Sequence, residues 1–352
     1  MWEYTNSPEL AGTAGGKVIT VGENITAINA ESGETDWTFN EAQRGDYTLP
    51  VIADAIYFGV FDDAGGSEYG DVYAVTFGGE ERWSVETGSV YTPPFTREGV
   101  VYVGGDDGNV RAIDSAEGAI LWEVDLFPDS LPSIVDVIGV DDEVYATTGQ
   151  LTALDKSDGK IRWQYGNESD HISQISKTDA VVITSFWDDL IALDEGEEIW
   201  SAGLDEGSKR LHGTAGGHVF VEQADTLYAF DTENGEQRWT VDGVEALSLT
   251  DHTAYIGNRR VQAISINSGD QRWQNELNSA VRSISVQSTA PDSTRQVPRQ
   301  NEEVAVTTDR QLLVLDSEGT VQWQREFDQE VFDHLYDGLL FCRTANSIYA
   351  FI

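Results

Sequence analysis

Leu227-Tyr228-Ala229-Phe230-Asp231-Thr232-Glu233-Asn234-Gly235-Glu236-Gln237-Arg238-Trp239 is the stretch that decides the fold, because its landmarks return along the whole chain. From Ala, Gly follows six residues later and Trp four after that, at Ala27/Gly33/Trp37, Ala112/Gly118/Trp122, Ala153/Gly159/Trp163, Ala229/Gly235/Trp239 and Ala263/Gly269/Trp273. Three shorter copies keep the step of four from Gly to Trp: Ala74/Gly79/Trp83, Ala192/Gly196/Trp200 and Val314/Gly319/Trp323. Self-similarity at a period of roughly 35 to 50 residues marks an array of one repeated unit, expected here as a single domain over residues 1–352.

Working outward from that stretch, each unit reads as four short strands. Leu211 to Ala215 is a first strand, Gly216-Gly217 a tight turn, and His218 to Glu222 a second strand of alternating apolar residues. Leu227 to Phe230 is a third, Asp231 to Gly235 a turn, and Gln237 to Val241 a fourth. Hairpin-linked strands repeated in this way predict an all-β, closed β-propeller of four-stranded blades. In the turn, Asp bonds its own backbone and Gly supplies positive φ. The Trp buries a broad flat surface while its indole N–H seeks a carbonyl. Trp2, Trp37, Trp83, Trp122, Trp163, Trp200, Trp239, Trp273 and Trp323 are therefore expected to be structural, each packed between adjacent blades.

The repeat tryptophans predict nine blades. After Trp323 come three further strands, Val331 to Tyr336, Leu339 to Arg343 and Ser347 to Ile352, while Met1-Trp2-Glu3-Tyr4 is a fourth strand without the other three. Joining them closes the last blade and hides the sheet edges. Two insertions break the period. Phe61 to Gly70 lengthens a second-to-third strand loop in blade two, and Gln287 to Glu303, with Arg295 and Arg299, lengthens a first-to-second strand loop in blade eight.

The phrase Tyr-Ala-Leu/Phe-Asp-x-x-x-Gly-x-x-x-Trp resembles the pyrroloquinoline-quinone-like (PQQ-like) propeller repeat with its tryptophan-docking motif, over essentially the whole chain. Eight blades are commoner in that family, which leaves eight as the alternative count. The family includes quinoprotein dehydrogenases and non-enzymatic BamB-like propellers. For the quinoproteins the resemblance implies an adjacent cysteine pair over the cofactor and a carboxylate-and-amide calcium site. Cys342 is the only cysteine, inside the apolar run Leu339-Leu340-Phe341-Cys342, so that pair is impossible and neither PQQ nor calcium is expected. Fold alone does not choose between the branches. The missing pair favours the non-enzymatic branch, with a quinoprotein-type oxidoreductase relative as the alternative.

Charge bounds the partners. The 352 residues carry 62 Asp and Glu against 21 Lys and Arg, a formal net charge of -41. Nothing here neutralises phosphates, so nucleic acid is excluded as a partner. Self-repulsion of this size opposes the compact state, and near 1 M salt the Debye length of about 3 Å removes most of it. The composition resembles that of salt-in halophile proteins. No apolar run is long enough to span a membrane, and the start lacks the basic and apolar segments of an export signal. Because both ends fall on repeat landmarks, a trimmed, extracytoplasmic or cell-surface protein is favoured over a cytoplasmic one.

No phosphate loop, nucleophile elbow or zinc-spaced histidine set occurs, so phosphoryl transfer, acyl transfer and metal hydrolysis have no support. The acidic pairs Asp62-Asp63, Asp106-Asp107, Asp141-Asp142 and Asp188-Asp189 lack calcium-loop spacing and read as solvated surface. The remaining candidates are cationic or ionisable side chains in predicted first strands, which line the centre of a propeller: His171, Arg210, His212, Arg282 and His334. They could meet an anion or an acidic side chain, or serve as ordinary channel residues bonded to water and carbonyls. A register error of one residue would turn any of them away. The expected function is a monomeric binding scaffold for a protein or peptide partner, with a small-ligand sensor as a further alternative.

Overall fold

The computed structural model describes all residues except 6–7, 41–45, 62–69, 127–135, 141–142, 168–171, 173, 179–181, 187–188, 205–208, 289–301, 338 and 352. Both insertions therefore fall largely outside the described residues, as do Arg295 and Arg299. The described regular structure is all antiparallel strand, in nine sheets. Sheets 1 to 8 run in chain order over residues 9–39, 46–86, 95–125, 136–165, 175–203, 209–242, 246–276 and 281–326. Sheet 9 joins three strands of residues 331–351 to Trp2–Tyr4. No described helix is long and apolar enough to cross a membrane.

Sheet 6 shows how the repeat builds itself, with strands Lys209–Ala215, His218–Gln223, Thr226–Asp231 and Gln237–Asp242. Gly216 and Gly217, at φ 56° and 78°, make the first hairpin without the steric cost a side chain would bring. The Asp231 carboxylate accepts the Glu233 N–H at 2.9 Å and the Asn234 N–H at 3.3 Å, which preorganises the third-to-fourth turn. The second and third strands are buried at most positions and the fourth alternates, with Trp239 its one buried residue. Sheet 2 departs from four strands. Its first strand is broken into Asp46–Tyr47 and Val51–Ile52, both paired with Ile56–Phe61, and Pro50, which has no N–H to donate, stands at the break.

A feature the periodicity does not announce is a β-bulge one residue before the repeat tryptophan in all eight fourth strands of sheets 1 to 8. A bulge twists and interrupts an outer strand, which discourages edge-to-edge pairing. The bulged residue is usually polar and bonds back to its own sheet: Arg162 to Asp155 at 2.8 Å, Arg238 to Asp231 at 2.8 Å, and Arg82 to Asp54 at 2.6 Å.

Core clusters lie between sheets 6 and 7, 7 and 8, and 8 and 9. Phe220, Ala229 and Trp239 of sheet 6 pack on Ala254, Ile256 and Ile264 of sheet 7. Tyr255 and Ala263 of sheet 7 pack on Ile284, Val306 and Leu313 of sheet 8. Ala305 and Leu312 of sheet 8 then meet Leu340 and Cys342 of sheet 9. The chain divides into two compact units, Ala11–Glu206 and Met1–Leu10 with Gly207–Ile352. In the second of these, Trp2–Tyr4 pairs with the strand Ile348–Phe351 in the register Trp2↔Ala350, Glu3↔Tyr349, Tyr4↔Ile348. The Glu3 carboxylate fixes that register by accepting the hydroxyls of Ser347 at 2.7 Å and Tyr349 at 2.8 Å, bonds that hold its acid strength up.

Candidate binding site

Four of the five candidate channel residues are described, and all four sit in first strands. Arg210 and His212 are in Lys209–Ala215, Arg282 in Val281–Ser288 and His334 in Val331–Asp337. His171 lies outside the described residues. The structure brings together only the last two strands, where His334 reaches the strand that carries Arg282.

His334 is held by sheet 8. Its Nδ1 is 2.9 Å from the Ser283 hydroxyl and its Nε2 is 2.6 Å from the Ser285 hydroxyl. Ser283 is itself 2.6 Å from the Thr307 hydroxyl. Burial pushes the imidazole down to about 4, so it is neutral at pH 7. A neutral ring with both nitrogens engaged is a strap between two sheets and offers no charge to a ligand. His212 follows the same logic. Burial lowers its pKa, and the Glu222 carboxylate 2.8 Å from Nε2 pulls it back only in part.

Arg282 is charged but engaged. Its Nη2 lies 2.7 Å from an Asp309 carboxylate oxygen and 3.1 Å from Glu330. Both His212 and Arg282 are the extra residue of a first-strand bulge, between Leu211 and Gly213 and between Val281 and Ser283. Each bulge breaks the inward–outward alternation on which a reading of strand direction depends. Arg210 is exposed, opposite Glu222 in the ladder.

The tryptophans form the most regular arrangement of the molecule. In five repeats the indole N–H donates to a carbonyl in the third-to-fourth turn of the next sheet: Trp37 to Phe77 at 3.0 Å, Trp83 to Ser115 at 2.9 Å, Trp122 to Lys156 at 2.9 Å, Trp239 to Ile266 at 2.7 Å and Trp273 to Ser317 at 2.9 Å. In each case the ring lies on the glycine of that turn. A Cβ added at Gly79, Gly118, Gly159, Gly269 or Gly319 would come within 2.5 to 2.7 Å of the indole. Trp163 lies on Gly196 but donates to the Glu143 carboxylate of its own sheet at 3.2 Å. The turn it faces is one of the short copies, with Glu195 at φ 48° and Gly196 at 84° between Asp194 and Glu197. Trp200 is buried and Trp2 half-buried, its ring centroid 6.0 Å from that of Phe341.

Trp323 is the exception. It is 37% exposed, and no residue among those described accepts its N–H. The next sheet, sheet 9, joins residues 331–351 to Trp2–Tyr4. In place of a glycine, Trp323 meets the Phe351 ring at 5.0 Å between centroids.

Repeated antiparallel sheets, with six tryptophans lying on the glycine of the next turn, agree with the motif-level resemblance. A family model described as outer membrane protein assembly factor BamB matches residues 21–189, 188–300 and 257–352. The chain belongs to this PQQ-like repeat family. BamB of Yersinia pestis is 23% identical over 261 residues, covering 66% of this chain and 65% of its own length. Quinoprotein alcohol dehydrogenase PedH of Pseudomonas putida is 27% identical over 217 residues, covering 58% of this chain and 31% of its own. This chain thus spans less than two thirds of either relative. The crystal structure of BamB from Moraxella catarrhalis superposes with a TM-score of 0.55 at 15% identity, over 95% of this chain and 99% of that one, and shares the fold.

Membership of the family raises the quinoprotein branch again. Cys342 is fully buried among Ala305, Leu312 and Leu340, with burial pushing the thiol up to about 12, and it has no second cysteine to pair with. The pair that resemblance to quinoproteins implies is absent from these residues. Among the described residues no three His, Cys, Asp or Glu side chains gather closely enough to hold a metal ion. Arg325, which the repeat pattern does not single out, lies over the rings of Phe327, Tyr349 and Phe351.

Proposed function

We propose that the chain is a non-enzymatic β-propeller whose work is to bind a protein or peptide partner, with its nine sheets closing as nine blades of one domain. The observation that carries this reading is the state of the first-strand candidates. Arg282 is occupied by two carboxylates and His334 is neutral between two serines, so neither stands ready for an anionic cofactor. A match to the BamB family along residues 21–352 supports a binding role, since the relatives so named are assembly factors. We further propose a monomer without redox cofactor, adapted to high salt by its net charge of -41 and working outside the cytoplasm.

A thermal-unfolding titration in molar KCl tests the proposal, with PQQ and Ca²⁺ added separately and together. A ligand that binds only the native state stabilises it by about 2.7 kcal/mol at a hundredfold excess over Kd. The expected outcome is no joint shift. A joint shift larger than either alone would return the protein to the oxidoreductase branch, the second reading, which the 27% identity to PedH favours. A small-anion sensor would have to displace Asp309 and Glu330 from Arg282. Its test is loss of affinity in His212→Ala and Arg282→Ala.

A further inference from the structure

A chain with 62 Asp and Glu against 21 Lys and Arg should leave few cations without a carboxylate beside them. Arg259, Arg260 and Arg310 are three such cations. Among the described residues no carboxylate oxygen lies within 4.0 Å of any of them, although Glu276 stands opposite Arg260 in the ladder. Asp309 and Glu330, the acids nearest Arg310 in sequence and fold, are both committed to Arg282.

The fold sets these arginines on the same edge of two consecutive sheets. Arg259 and Arg260 follow the second strand of sheet 7, Thr253–Gly257, and Arg310 follows that of sheet 8, Glu302–Thr308. The same two backbone bonds brace each turn. The Leu277 N–H donates to the Arg259 carbonyl at 2.9 Å and the Val281 N–H to the Asn258 carbonyl at 2.6 Å, while Phe327 and Val331 serve Arg310 and Asp309 at 2.9 Å each. The Asn258 side chain ties the first turn further, accepting the Arg260 N–H at 3.0 Å and donating to the Gly243 carbonyl. Arginine is not what such a turn needs, since Gly108 and Asp225 accept the equivalent bond in sheets 3 and 6. Arg260 is half-buried, and its Nε is covered with no acceptor. Gln262, on the same side of the strand, is 2% exposed and its amide nitrogen also lacks an acceptor. Ile256, opposite Gln262, and Ile264 make that side apolar. An arginine partly stripped of water and without a counter-charge attracts a carboxylate more strongly, and loses less to salt, than a fully solvated one.

We propose that Arg260, with Arg259 and Arg310 as outer contacts, docks an acidic segment of a partner protein. One carboxylate of the segment takes the Arg260 fork, which can bind it through two parallel hydrogen bonds, and further carboxylates meet Arg259 and Arg310. The rigid turns present these side chains without a cost for ordering the backbone. A chain of net charge -41 repels such a segment over most of its surface, so the cluster decides where the segment lands. The proposal rests on the protein-binding reading and gives that reading a surface and a partner chemistry.

The test is fluorescence anisotropy of a dye-labelled peptide of alternating glutamate and glycine on the full chain, across the KCl range in which it is folded. The same peptide with glutamine for glutamate is the control. The expected result is saturable binding of the glutamate peptide alone. Arg260→Gln should weaken it at least tenfold, on the order of 1.4 kcal/mol, and Arg310→Gln should weaken it less. Arg272→Gln removes the same charge from the outer strand of sheet 7, where the arginine already donates to Thr253 and His252, and should leave binding unchanged. If Arg260→Gln does not fold, Arg310→Gln decides, since Arg310 is exposed. Equal binding of the glutamine peptide, equal losses from Arg272→Gln and Arg260→Gln, or no saturable binding overturns the dock. So does displacement of the peptide by acetate at equal carboxylate concentration, which would mark a site for small anions only. If the dock fails and PQQ with Ca²⁺ gives no joint stabilisation, the protein-binding reading stands without it. Joint stabilisation would mean that the reading itself has failed.

Discussion

Trp239 and Trp323 stand at the same point of the same repeat, yet one is 9% exposed and the other 37%. Their own strands do not explain the difference, since both follow a bulge and both pair with the third strand of their sheet. What differs is the following sheet. Sheet 7 brings Gly269 and the Ile266 carbonyl to Trp239, whereas sheet 9 brings the Phe351 ring to Trp323. The tryptophan is therefore only half of a structural element. Its burial is a property of the pair of neighbours, as in other repeat proteins whose stability resides in nearest-neighbour contacts.

The sharpest way to break this comparison is to remove the filled tryptophan. Trp239→Ala should lower the unfolding free energy by about 3–5 kcal/mol, because a large buried ring leaves a cavity and the Ile266 carbonyl loses its donor. Urea unfolding in molar KCl measures it. A loss close to that of an exposed residue would mean the dock does not hold sheets 6 and 7 together.

Next in size is the other half of the pair. Gly269 has φ +71°, and a Cβ there would meet the Trp239 ring at 2.7 Å. Gly269→Ala combines a left-handed backbone cost with overpacking, together about 2–4 kcal/mol. The double variant with Trp239→Ala separates the two terms. Removing the ring should relieve the overpacking and leave the backbone strain, so the losses should be less than additive. Full additivity would show that the glycine is needed only for its φ.

This division also explains what the sequence made legible. The Ala, Gly and Trp landmarks follow from local needs, a small residue, a positive φ and a flat ring, so spacing alone reveals the repeat and its four strands. The partners of His334 and Arg282 are another matter. Ser283 and Ser285 lie 51 and 49 residues from His334, and Glu330 lies 48 from Arg282, so those bonds exist only once two sheets have met. The bulges at His212 and Arg282 further defeat any count of alternate residues, since one extra residue reverses the inward direction.

Trp323→Ala sharpens the comparison from the other side. With no glycine above it and no acceptor among the described residues, Trp323 should cost about 1 kcal/mol when truncated, in the range of lightly buried positions. The same urea experiment applies. A loss equal to that of Trp239→Ala would mean that Phe351 holds Trp323 as firmly as a glycine turn holds Trp239.

The smallest expected effect separates the two docks by their physics. The Trp239 dock is an apolar contact with one neutral hydrogen bond, and there is no charge in it for salt to screen. Its contribution should stay constant as the Debye length falls from about 10 Å at 0.1 M toward about 3 Å at 1 M, even while the whole protein gains stability from relief of its own repulsion. At sheet 9 the stabilising group is the Arg325 cation over three rings, near enough to Glu3 to help hold that carboxyl below its usual range. Arg325→Gln should therefore cost about 0.5–1 kcal/mol at low salt. That cost should shrink as KCl rises, because the attraction to Glu3 is screened. Unfolding of the two variants across one KCl series reads both slopes. A flat line for Trp239→Ala and a falling one for Arg325→Gln would show that the contact between sheets 6 and 7 is closed by shape, and that the one at sheet 9 is held in part by charge.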